Sequence, residues 1–195
     1  SAQPFESYSI YRRPEVYVAL PQFYAPGDSR RNAKFFFNLD ERSAHHGFWI
    51  EKSDEAMDAT WDWLRFTATL AREKRLQAQI LVAMQRYGLA WSIDVDPRTP
   101  KSTRTVRTVT ADTQGLCLQG KGQVGDQDDK DGAALSWAEF LKLLAEVPTD
   151  HWCDLYLAAH VPKVRAVERG VELGQEAATI YHALLPLYMA AVRPR

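Results

Sequence analysis

Apolar and polar residues change rhythm several times along this chain, and each change marks an element. Glu15–Leu20 (EVYVAL) mixes β-branched and aromatic positions in alternation and predicts a strand that Pro21 ends. Lys34–Leu39 (KFFFNL) and Gly47–Glu51 (GFWIE) predict two more strands. The short polar stretch between them, 40–46, predicts an antiparallel hairpin with His45 and His46 exposed in its turn. Leu89, Trp91, Ile93 and Val95 alternate with Ala90, Ser92 and Asp94, a half-buried strand stopped by Asp96-Pro97. Thr103–Ala111 and Gly115–Leu118 read as extended, and Trp152–Ala158 as a further strand.

Elsewhere the period becomes helical. Ser53 or Asp54 suits a helix N-cap, and Met57, Trp61, Leu64, Ala68 and Ala71 step by four and three. The pattern slips at Arg72–Arg75 and resumes at Leu76, Ile80, Ala83 and Tyr87, which predicts one bent helix or two consecutive ones, ended by Gly88. Ser136-Trp137-Ala138-Glu139 fits a capping box that opens a helix running to about Glu146. Pro162 suits a first helical position. A long helix then follows Val164, Val167, Val171, Gly174, Ala178, Tyr181, Leu185 and Tyr188, with a kink at Pro186. A second seam (Leu173, Ala177, Ile180, Leu184, Leu187 and Ala191) makes its C-terminal half apolar over a wide face.

The order of elements lacks a regular βαβ alternation. It predicts an α+β fold: a mainly antiparallel sheet with helices packed on one face and the long C-terminal helix central to the core. With 195 residues and no internal repeat, the expectation is a single globular domain over 1–195, with 1–14 as a lead-in and 121–132 as a mobile, acidic and glycine-rich loop.

Charge narrows the function classes. Lys and Arg number 24 against 25 Asp and Glu, a formal net charge of −1, so bulk charge alone would not hold the protein to nucleic acid or membrane. Cys117 and Cys153 cannot make a disulfide framework and read as thiols of a cytoplasmic protein. The segment 1–11 has no apolar run of signal-peptide type, and the longest apolar stretch, 183–192, contains Pro186 and is too short to span a membrane. GxGxxG, Walker A and GxSxG motifs are all absent, which argues against P-loop and α/β-hydrolase chemistry.

The hairpin 34–52 holds the strongest site candidate. Alternation allows a register in which Phe36, Asn38, Trp49 and Glu51 share one face. Two flat rings, an amide and a carboxylate can stack on a planar base and hydrogen-bond its edge. Basic residues flank it in sequence: Arg30 and Arg31 before, and Lys101, Arg104 and Arg107 after, the latter among threonines able to meet phosphate oxygens. In an extended chain, residues spaced by three do not share a face, so those cations need a loop or a twisted ribbon to act together.

Other constellations are weaker. Asp54, Asp58 and Asp62 would line one face of a helix and could hold a metal, but Glu51-Lys52 lacks the spacing of a metal-dependent nuclease core. The loop 126–132 has no first carboxylate and no closing acid for calcium. Cys153 and His160 could pair as nucleophile and base, but Cys153 sits in an apolar strand, which favours an inert thiol.

The expected function is a non-catalytic nucleic-acid recognition domain, reading DNA and carrying neither cofactor nor metal. It would serve a larger restriction- or defence-type protein, through fusion to or complex with an effector, and its aromatic pocket would suit a modified base. Two alternatives stay open: a protein–protein adaptor or small-ligand sensor using the same surface, and a metal-dependent enzyme using Glu51, Asp54 and Asp58.

Overall fold

The computed structural model describes residues 3–8, 14–19, 28, 30–99, 103–119 and 132–192, the first two of these segments as backbone. Among the described residues nine strands form one antiparallel sheet in the order β1-β2-β3-β4-β9-β5-β6-β7-β8. They are β1 Gln3–Tyr8, β2 Pro14–Ala19, β3 Lys34–Leu39, β4 Ser43–Lys52, β5 Ala90–Asp96, β6 Thr105–Asp112, β7 Gly115–Leu118, β8 Ala133–Leu135 and β9 Trp152–Pro162. The described residues also form six helices: α1 Asp62–Arg72, α2 Lys74–Tyr87, α3 Trp137–Ala145, α4 Lys163–Arg169, α5 Glu172–Ala183 and α6 Leu185–Ala191. The fold is α+β, as the element order predicts.

The last strand in sequence, β9, lies at the centre of the sheet. It pairs with β4 on one side and β5 on the other, two strands that α1 and α2 separate in sequence. Cys153, Leu155, Leu157, Ala159 and Val161 are buried, while the residues between them are half-buried or exposed. Cys153, Leu155, Leu157 and Ala159 meet Phe48 and Ile50 of β4, Trp91 and Ile93 of β5, and side chains from α1, α2, α3, α5 and α6 in one cluster, and Val161 packs with Ala44 and Leu173 in a second. Phe48, Phe66, Trp91 and Phe140 run through it ring against ring, with centroids 5.9, 6.2 and 5.3 Å apart. Burying each such ring contributes roughly 1.5–3 kcal/mol.

Local hydrogen bonds explain where elements depart from the periodicity. The first helix begins at Asp62, not at Ser53 or Asp54. Ser53 Oγ accepts from Glu55 N, and Asp58 Oδ1 accepts from the backbone and hydroxyl of Thr60, so these side chains stabilise turns in place of a helix. Asp54, Asp58 and Asp62 therefore do not line a helix face: Asp54 and Asp58 are exposed on a loop, and Asp62 is buried.

The hairpin turn is also shorter than the polar stretch suggests. Asp40 Oδ1 accepts from Arg42 N, Ser43 N and Ser43 Oγ, which closes the turn and starts β4 at Ser43. His45 and His46 thus lie within the strand, and His46 is wholly buried on the helix side, stacked on Phe37. Within the segment read as a lead-in, Gln3–Tyr8 is a strand paired with β2. Ala133–Leu135, after the expected acidic loop, is the short edge strand β8. Of that loop, 121–131 lies outside the described residues.

The expected long C-terminal helix is three helices. Gly170, with φ 50°, ends α4, Leu184 separates α5 from α6, and Pro186 sits in the first turn of α6, where its missing N–H costs nothing. The α1–α2 break falls at Glu73, Gly88 is a left-handed cap, and the Ser136–Glu139 capping box forms as the sequence predicts.

Two contacts fix β9 against β4. Lys52 Nζ donates to the carbonyl oxygens of Ser53, Pro148, Thr149 and His151, tying the end of β4 to the loop before β9. At Gly47 the strands run so close that a Cβ would meet the Leu157 carbonyl oxygen, with Ala158 Cα 2.7 Å away. Both obstacles are backbone of a central strand and cannot yield. Gly47→Ala should therefore destabilise the protein by about 2 kcal/mol or more, read as a lower urea midpoint at unchanged slope. A midpoint equal to that of the wild type would contradict this packing.

Candidate recognition face

The side chains of β9 that do not enter the core define the opposite face of the sheet. Register places them in rows that cross β3, β4, β9 and β5. Lys34, Trp49, Tyr156 and Ser92 form one row, and Glu51, Asp154 and Asp94 the next. On the other side of the Trp49 row come Phe36, Gly47, Ala158 and Ala90, then Asn38, His45 and His160. The floor Gly47–Ala158–Ala90 carries only small side chains, with rings on either side of it. Buried apolar side chains of α1, α2, α3, α5 and α6 belong to the clusters on the core face of the sheet, while on this face Lys34 and Phe36 are buried and Trp49 and Tyr156 half-buried.

The aromatic row is a stack. Lys34 Nζ lies 3.7 Å from the centroid of the Trp49 ring, a cation–π contact, and Tyr156 stacks on Trp49 at 5.2 Å and 27°. Phe36 meets both rings edge-on, at 6.2 Å from Trp49 and 5.4 Å from Tyr156. Asp154 Oδ1 accepts the indole N–H of Trp49 at 3.2 Å and that of Trp152 at 3.1 Å. Arg98 lies over the Trp152 ring, 4.4 Å from its centroid. Asp94 takes a bidentate pair from Arg104, and Glu51 pairs with Lys34 at 3.5 Å.

Burial governs the titration of this network. It pushes the carboxyls of Glu51 and Asp154 up: the Lys34 charge opposes it at Glu51, and the indole hydrogen bonds oppose it at Asp154. It also raises the phenol of Tyr156. The hydrogen bond to Asp94 raises the guanidinium of Arg104 further above its usual range.

Phe36, Asn38, Trp49 and Glu51 do share this face, but not one binding spot. Asn38 stands three rows from Glu51, about 20 Å along the strands, so one base cannot span both. Trp49 has Lys34 on one side and Tyr156 on the other, so it serves as the middle of a stack. The cations are dispersed. Arg30 pairs with Asp28 at 2.9 Å, Arg31 is half-buried with its charge acting on Asp62, and Arg104 is held by Asp94. Arg107 is exposed in register with Ile93, on the helix side of β6, and Lys101 lies outside the described residues. Cys153 and His160 point to opposite faces of β9 and form no pair; burial pushes the Cys153 thiol up to about 12.

Sequence reasoning did not single out Tyr156, Asp154, Asp94 or Trp152, and it took Lys34 only as a basic residue preceding the hairpin. The signal for two of them was Asp94 and Asp154 themselves, each an acid set within an apolar strand at the outward phase. Among the described residues, no group of three or more His, Cys, Asp and Glu side chains is placed to hold a metal ion. Among them, too, no helix is long and apolar enough to cross a membrane. No family model matches the chain, and comparison with curated proteins and with solved structures finds no significant similarity.

At one end of the sheet, Asp62 joins α1 to the start of β3. Its N–H donates to the Arg30 carbonyl at 2.8 Å, and its Oδ2 accepts from Ala33 N at 3.4 Å. Burial pushes its carboxyl up to about 7, against the pull of the Ala33 N–H and of the Arg31 and Arg65 charges. A raised carboxyl binds its proton more tightly in the folded state than in the unfolded one, where it titrates near 3.9. The stability this gives is complete below pH about 4 and is lost as pH rises through about 7. Asp62→Asn should flatten the decline in stability between pH 5 and 8, and at pH 8 exceed the wild type by on the order of 2 kcal/mol. Urea unfolding at three pH values measures this. Parallel curves for the two proteins would contradict it.

Proposed function

We propose that this chain is a non-catalytic nucleic-acid recognition domain that reads DNA through the helix-free face of its sheet, as the specificity module of a larger protein. One observation carries the reading: aromatic rings and carboxylates from three adjacent strands stand in register on one face. Carboxylate oxygens accept from the exocyclic amines and ring N–H groups of bases, and aromatic rings give a flat apolar surface beside them. In this reading an extruded or single-stranded base rests against the edges of the Trp49–Tyr156 stack and of Phe36, and Glu51 and Asp154 read the edge of that base. Phosphates would meet exposed cations around the face, Arg98 and Arg104 being nearest to it in the network.

The second reading, an adaptor or small-ligand sensor, is favoured by the pairing of cations on and near this face. Arg104, Arg30 and Lys34 each have a carboxylate partner, which leaves less free charge for phosphates. The same acceptors would take an N–H-rich cationic group from a peptide or metabolite.

Fluorescence polarisation with single-stranded, duplex and base-modified duplex DNA at two salt concentrations separates the readings. A DNA reader binds one member preferentially and weakens steeply with salt. Trp49→Phe and Glu51→Gln, which keep approximate size, should each weaken that binding about ten-fold, roughly 1.4 kcal/mol. Absence of binding at low salt would overturn the DNA reading and leave the adaptor.

A further inference from the structure

We propose that His45 and His160 form a two-histidine seat for a divalent transition-metal ion of the class that prefers imidazole, Zn²⁺ among them. The pair stands at the β3–β4 turn end of the helix-free face, two rows from Trp49, and the proposal is independent of the DNA reading. His45 of β4 and His160 of β9 are direct register partners, and their rings meet at 4.6 Å between centroids. Their Nδ1 atoms share a hydrogen bond at 3.4 Å, whose proton an ion between them would replace. Two nitrogens bound to one tetrahedral zinc at about 2.05 Å stand about 3.3 Å apart, so the spacing matches a chelating pair with little movement.

The surroundings of His45 orient the right nitrogen. Ser43 Oγ donates to Asp40 Oδ1 at 3.1 Å, so toward His45 Nε2, 2.7 Å away, it acts as acceptor. In the tautomer that matches this acceptor, Nε2 carries the ring proton and Nδ1 presents its lone pair toward His160. A metal-binding histidine is commonly held in this way, its other nitrogen donating to an oxygen that fixes tautomer and ring plane. The Asp40 carboxylate, 3.5 Å from Nε2, adds negative charge beside the cation without being a ligand. Asp40 is held through Oδ1 by the backbone N–H groups of Arg42 and Ser43, the same contacts that close the hairpin. His160 is exposed, so an ion has access from solvent, whereas His46 lies buried on the other side of the sheet. With two protein ligands, the remaining positions on the ion would hold water or a donor from a bound molecule.

Calorimetric titration of the untagged chain with Zn²⁺ tests the seat. The expected result is one ion bound per chain, with affinity at least ten-fold weaker in His160→Ala and in His45→Gln. His182→Ala, an exposed histidine on α5, should bind as the wild type does. Far-UV circular dichroism establishes that each variant is folded, and the ¹⁵N shifts of the imidazoles should place the ion on Nδ1 of both rings. No binding at millimolar Zn²⁺, equal binding by folded His160→Ala, or coordination through Nε2 would each overturn the proposal.

Discussion

The unbroken alternation of β9 is the constraint on which the rest of this molecule depends. Its inward residues close the core between β4 and β5, and its outward residues place Asp154, Tyr156, Ala158 and His160 along the other face. A slip of one residue would turn Asp154 and His160 into the core and Leu155 and Leu157 out of it. Gly47 and Lys52 guard against that slip, the first by allowing close approach of the backbones, the second by gathering four carbonyls at the strand's entry. Core packing and the candidate site are therefore consequences of one register.

Around Trp49 and Trp152 the polar groups of the outward face pair with one another. Two indoles share one oxygen of Asp154, Arg104 clamps Asp94, and Lys34 divides its charge between the Trp49 ring and Glu51. Buried polar groups left without partners cost more than neutral ones gain, so such a network fixes side chains in one arrangement. A rigid surface of this kind suits recognition, because little conformational freedom remains to be lost on binding. It also explains why the arginines do not form a common patch: several are engaged in holding carboxylates in place.

Much of this was legible in the sequence, for identifiable reasons. Alternation at 89–95, the glycine cap at 88 and the capping box at Ser136 are local signals, and each appears where its residues stand. The common face of Phe36, Trp49 and Glu51 is one that strand alternation allows, and the β3–β4 register selects it. What was not legible depends on competition or on distance. Ser53 and Asp58 resemble helix caps but bond to turns, which delays α1 to Asp62. Asp40 shortens the hairpin and carries His45 into the sheet, and only the pairing of β4 with β9, 105 residues apart at Trp49 and Asp154, brings the acids and histidines together.

The indole N–H groups of Trp49 and Trp152 report directly on this face, because both donate to Asp154. Trp91 and Trp63, buried in the core, provide internal references. The most direct measurement is a ¹H–¹⁵N correlation spectrum of the six indole signals during titration with a single-stranded oligonucleotide. Recognition through the helix-free face predicts shifts at Trp49 and Trp152 while Trp91 and Trp63 stay in place. Shifts confined to the other indoles, with Trp49 and Trp152 unmoved at saturation, would contradict it.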